Sequence, residues 1–245
     1  MPRANRYFLP GHVWHITHRC HKQEFLLKFA KDRENWIHWL FEARKRFGLC
    51  VLNYMVTSNH VHLLVKDTGR NAIPNSMQLI AGRTAQAYNQ RKHRKGAFWE
   101  DRYHATAVQT DEHFLRCLVY IDLNMVRAGV VRHPEKWPHC GYHEIQQPRV
   151  RYRIIDQASL MSLTQLASAK MLRDSHRAWI ADELKHDRAR WRDARWTEGL
   201  AVGQREFIEH IQADFGYRAR RRECVELEDG CQLKEPSALY LAFSS

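Results

Sequence analysis

Two histidines separated by one valine, His60 and His62, lie in the stretch Leu52–Val65, LNYMVTSNHVHLLV. The surrounding residues alternate as in a β-strand. Successive side chains of a strand leave on opposite faces, so both imidazoles project to the same side. Two neutral imidazoles placed in this way can hold a divalent metal. A second set of reactive residues lies between Asp111 and Gly129, which reads as a helix capped by Asp111 and ended by Gly129. At helical spacing Asn124 and Arg116 fall about 40 degrees to either side of Tyr120, with Arg127 and His113 within about 20 degrees of it. These five share one stripe. The rest of the circumference (Phe114, Leu115, Leu118, Ile121, Met125) is apolar apart from Asp122, so the polar stripe faces either solvent or something specific.

A tyrosine with its usual pKa near 10 is a poor nucleophile, and an enzyme that uses one must stabilise phenolate or polarise the electrophile. A metal held by His60 and His62 does the second when it binds a non-bridging phosphate oxygen. Asn124, one turn beyond Tyr120, is placed to add a third ligand through its amide oxygen. A site of two imidazoles and one oxygen with open positions suits Mg²⁺ or Mn²⁺ better than a closed structural zinc. A hydrolase that activates water instead of tyrosine is the rival chemistry, but there is no carboxylate cluster to support two metals.

The elements that position these groups follow from hydrophobic periodicity. His12–Arg19 alternates as a first strand, with His15 and His18 read as lying on its wet face. Lys31–Phe47 has Trp36, Ile37, Leu40 and Phe41 at helical spacing and is stopped by Gly48. Strands Leu49–Val56 and His60–Lys66 flank a short connection, a helix spans Asn75–Arg94, and a strand covers His104–Gln109. Together with the helix after Asp111 this order predicts an α+β fold: a ferredoxin-like split βαβ domain, an antiparallel sheet with helices on one face. We draw the domain as residues 1–149. Residues 150–245 are expected to be a mainly helical C-terminal extension of unassigned role, with helices in Ser159–Trp196 and Gln204–Ala219.

The chain carries 39 Lys and Arg against 27 Asp and Glu, a net charge of +12, which favours a polyanionic partner and nucleic acid in particular. No apolar run approaches the roughly 20 residues needed to span a bilayer, and no signal-like segment opens the chain, so a cytoplasmic, nucleoid-associated protein is expected. The six cysteines are dispersed and read as reduced thiols, Cys50 and Cys117 in the core, with a zinc site at Cys224 and Cys231 only weakly signalled.

SNHVHLLV followed by YIDLNMVRAGVV resembles the HUH single-tyrosine transposases that act on single-stranded DNA, in particular the REP-associated tyrosine transposase branch. FWEDRYHATAV is similar to a further segment of that family, and Met125 stands where the family often has Pro. The likeness covers roughly residues 5 to 145, outside which nothing is carried over. It implies an HUH fold, His60 and His62 as metal ligands with Asn124 beside them, Tyr120 as nucleophile, and Mg²⁺ or Mn²⁺ as cofactor. The implied activity is metal-dependent cleavage and strand transfer of single-stranded, hairpin-containing repeat DNA through a 5′-phosphotyrosine intermediate. DNA contacts are expected from Arg116, Arg127 and Arg102, and from the basic segments Arg91–Lys95, with Lys92 and Arg94, and Arg188–Arg195. Trp99 and Tyr103 are candidates for base stacking. A homodimer is compatible with the motifs, in which the tyrosine helix serves its own or a partner's histidines. The alternative is a domesticated, non-catalytic nucleic-acid-binding protein.

Overall fold

The computed structural model describes residues 8–186, 193–216, 219 and 222–234. The first six elements are β1 (Val13–Arg19), α1 (Ala30–Phe47), β2 (Cys50–Val56), β3 (His60–Lys66), α2 (Ala72–Arg91) and β4 (His104–Val108). Their strands run in the order β2-β3-β1-β4 with every neighbour antiparallel. This is the ferredoxin-like layer expected. Gly48 ends α1 in the left-handed conformation, its N–H bonded to the Arg44 carbonyl. Helix α2 begins at Ala72 rather than Asn75, because Pro74 fits the first turn, where a missing N–H costs nothing.

Next come α3 (Glu112–Asp122), α4 (Asn124–Arg127), α5 (Tyr142–Gln146), α6 (Gln157–Thr164), α7 (Ala169–Lys185) and α8 (Arg195–Glu198). The last elements are β5 (Ala201–Gly203), α9 (Arg205–Phe215), β6 (Glu223–Leu227) and β7 (Gly230–Lys234). Asp111 caps α3 as expected, its carboxylate accepting the His113 N–H. The expected single helix is interrupted at Leu123, and α4 continues from there through the Arg127 N–H to Leu123 carbonyl bond.

The C-terminal region is mainly helical but also contributes three strands. β5 pairs parallel to β4, and β7 and β6 follow, so one seven-stranded sheet runs across the change in composition near residue 150.

The sheet is covered on both sides. Trp99, from the loop before β4, donates its indole N–H to the Ala81 carbonyl of α2, and α1 packs along α2 on that same face. The opposite face carries His15, His62 and Thr106 and lies under α3 and the segment around α8. Asp122, the exception on the apolar side of α3, is fully buried and accepts a hydrogen bond of 2.7 Å from His176 Nε2 of α7. Gln146 of α5 in turn donates to His176 Nδ1 at 2.9 Å. Removing one partner leaves the other buried and unsatisfied. Asp122→Ala should therefore lower stability by about 3 kcal/mol, lowering the melting temperature by about 6–12 °C for a chain of this length. An unchanged melting temperature would show that the pair contributes nothing.

Candidate metal and nucleophile site

Strand register brings the histidines together. Thr17 of β1 faces both His62 of β3 and His104 of β4, and His15 faces Leu64 and Thr106, so all six lie on one face. His15 and His18 do not lie on a wet face as the alternation suggests. Both are buried: His15 is 0 % exposed, and His18 stacks on Trp99 at 4.0 Å. Trp99 and Tyr103 are packed inward rather than offered to bases, Trp99 through that stack and Tyr103 by burial.

The protonation of the histidines follows from their partners. His15 Nδ1 lies 2.8 Å from the Trp196 carbonyl, which can only accept, so Nδ1 carries the proton. In a neutral ring Nε2 then accepts, and it lies 2.9 Å from His62 Nδ1, which must be the donor. His62 Nε2 is left with its lone pair. Burial keeps these rings neutral. It pushes the His15 pKa down to about 3, helped by His104 and Arg127, and holds His62 well below the ordinary histidine value, helped by His60. His60, half-buried at the start of β3, has Nδ1 2.7 Å from Asn59 Oδ1, an acceptor that favours the proton on Nδ1. The two rings lie 4.9 Å apart, centroid to centroid.

Asn124 completes the donor set. Its side-chain amide lies 2.9 Å from His62 Nε2, oriented with the N–H₂ donating to the ring. Two ligands at right angles around an ion about 2.1 Å from each lie about 3 Å apart, so the same amide turned over would present its oxygen at ligand spacing. Among the described residues no cluster of three His, Cys, Asp or Glu is grouped for a metal. The donors here are two imidazoles and an amide, a set that fits a divalent ion with open positions.

Tyr120 stands beside them. Its ring centroid is 6.0 Å from that of His62 and 6.2 Å from that of His15. The Arg127 guanidinium sits 3.9 Å over the Tyr120 ring and donates to the Tyr120 carbonyl. His60, His62, Tyr120, Asn124 and Arg127 line one cleft of about 850 Å³, with Arg19 and Arg102 also along its wall.

Of the expected contact residues, Arg102 and Arg127 reach this cleft and Arg116 does not. Arg116 is paired with Glu112 at 3.0 Å and with Asp229. His113 is fully buried, bonded to Asp111 Oδ1 and the Asp229 carbonyl. A shared stripe fixes the direction of a side chain but not its height along the axis, and Arg116 lies one turn, about 6 Å, below Tyr120. Lys92 and Arg94 are not among the cleft residues. Lys92 lies over Phe29, and Arg94 donates to the Ala97 carbonyl at 2.8 Å. Of the basic segment Arg188–Arg195, positions 188–192 lie outside the described residues. The cleft also includes His104, Thr197 and Glu198, which sequence reasoning did not assign.

A ferredoxin-like sheet thus carries a His-hydrophobic-His strand with a tyrosine helix laid against it. The family model described as "Transposase IS200 like" matches residues 10–124. Among solved structures the chain is similar to one described as a REP-associated tyrosine transposase bound to a REP hairpin. That match has 17 % identity and a TM-score of 0.52, and covers 64 % of this chain and 94 % of the other. A second, a crystal structure described as a putative transposase from Deinococcus radiodurans, has 18 % identity and a TM-score of 0.35, covering 48 % of this chain and 92 % of that one. No curated protein sequence matches the chain. No helix among the described residues is long and apolar enough to cross a membrane.

Proposed function

We propose that this transposase cleaves and rejoins single-stranded DNA with Tyr120 as its nucleophile and a divalent metal, Mg²⁺ or Mn²⁺, at His60, His62 and Asn124. The observation that carries this reading is the common cleft: nucleophile, imidazole pair and amide come from one chain, with the rings of Tyr120 and His62 6.0 Å apart. Tyr120 Oη loses its proton and attacks the scissile phosphorus, and the bond to the 3′ oxygen breaks. The products are a 5′-phosphotyrosine and a free 3′-hydroxyl. The reverse attack by the same or another 3′-hydroxyl restores the tyrosine and joins the strands, so no external energy source is consumed. When bound, the metal supplies Lewis-acid stabilisation of the charge that develops on the phosphoryl oxygens.

Arg127 holds the Tyr120 ring, while Arg102 and Arg19 stand where phosphates flanking the scissile one would pass. Lys92 and Arg94 extend the basic surface for the backbone of a hairpin substrate, a class suggested by the hairpin in the similar structure. A homodimer remains compatible with this site, although one chain supplies all its named groups.

The test is incubation with labelled single-stranded DNA that carries a hairpin, with Mg²⁺ or Mn²⁺ present. A denaturation-resistant protein–DNA adduct, absent when the metal is chelated, is the expected result. Tight binding without an adduct in either metal would overturn the catalytic reading in favour of a non-catalytic binding protein.

A further inference from the structure

The C-terminal extension reaches the histidine face through the backbone carbonyls of Trp196 and Gly199. Helix α8 is only four residues long, and Gly199 ends it. The N–H that would bond the Trp196 carbonyl in a longer helix, that of Leu200, is instead taken by Leu233 of β7 at 2.7 Å. The Trp196 carbonyl is thus left to accept from His15 Nδ1. The neighbouring Gly199 carbonyl accepts from Thr106 at 2.6 Å and from His104 Nε2 at 2.8 Å, which clamps the segment to the same face.

We infer that His15 is a positioning residue for the metal site, and that the extension, through the Trp196 carbonyl, fixes which nitrogen of His62 faces the metal. The inference rests on the reading of His62 as a ligand. A free imidazole exchanges its proton between two nitrogens, and only the form with Nδ1–H leaves Nε2 as a donor toward Asn124 and the cleft. The chain of bonds Trp196 C=O to His15 to His62 selects that form and fixes the ring plane, with the two imidazoles stacked 4° from parallel. Such outer partners commonly contribute 10- to 100-fold to metal affinity. Both rings are buried, so water is poorly placed to replace either bond.

The experiment compares the full-length chain with His15→Leu and His15→Gln. Glutamine can donate to the Trp196 carbonyl and accept from His62 at once, whereas leucine can do neither. Mn²⁺ affinity is read from the electron paramagnetic resonance of free ion during titration, without DNA. Leucine is expected to weaken binding by about 10- to 100-fold, and glutamine is expected to restore most of it. Leucine binding Mn²⁺ as tightly as the unaltered chain, or glutamine as weakly as leucine, would overturn the inference.

Nitrogen-15 spectra of the metal-free, unaltered chain provide a separate readout. His62 is expected to carry its proton on Nδ1, and a proton on Nε2 would overturn the inference however the variants fold. If the unaltered chain binds no Mn²⁺, the metal reading of the cleft fails, and the His62 tautomer still decides the role of His15.

Discussion

Tyr120→Phe will abolish the covalent protein–DNA adduct while leaving DNA binding nearly unchanged. Removing one hydroxyl takes away the only atom that can form the phosphotyrosine, and the loss of cleavage is expected to exceed about 10³-fold, at least 4 kcal/mol in the barrier. The phenyl ring is expected to keep its place because its ring contacts remain. Arg127 lies over the ring face, and His15, His62 and Trp196 surround it at centroid distances of 6.0 to 6.2 Å. Adduct yield on a labelled hairpin, set beside a binding titration of the same variant, gives the answer. An adduct that survives in the phenylalanine variant would remove Tyr120 from the role of nucleophile. Tyr103 is a poor substitute, since its side chain is packed into the core.

His62→Ala should reduce metal-dependent cleavage by about 10²-fold or more and should also cost stability. The activity loss follows from the loss of one of three donors and of the ion's fixed position. The stability loss arises because His15 Nε2 and the Asn124 amide both bond to His62 and would lose a buried partner, about 1–3 kcal/mol for such a group. Chelating the metal from the unaltered chain should reproduce the activity loss without the stability loss of the mutation, and added Mn²⁺ should reverse it. Cleavage rates and melting curves on the same samples separate the two effects. A chelated protein that still cleaves would mean that the imidazole pair does not work through a metal.

Much of this fold was legible from local pattern. The alternation around His60 and His62, the periodicity of Lys31–Phe47 and the cap at Asp111 are each decided by residues within a few positions of one another, and the structure reproduces them. The strands of the extension were missed for the opposite reason. β5 is three residues long and exists because β4 and β7 lie on either side of it. The β6–β7 hairpin did carry a signal, a Glu228-Asp229 turn followed by Gly230 between alternating residues, which was masked by the charged run before it.

The site divides in the same way. Tyr120, Asn124 and Arg127 were readable as one helical stripe, and the structure brings all three to one cleft. His15 was read as lying on its strand's wet face, because its burial depends on Trp196, which no local window contains. Of the two partners of Arg116, Glu112 lies one turn away in the sequence, but Asp229 is distant and no local window contains it.

The hydrogen bond from His15 to the Trp196 carbonyl joins positions 181 residues apart. During synthesis at 5–20 residues per second, about 10–40 s therefore pass between the appearance of the first partner and that of the second. Throughout that interval the strands that carry both histidines can already pair, yet the buried imidazole has no acceptor. The site therefore acquires its final geometry only after residue 196 has been made, and a nascent chain stalled before residue 196 would present the tyrosine and the imidazole pair without the bond that aligns them.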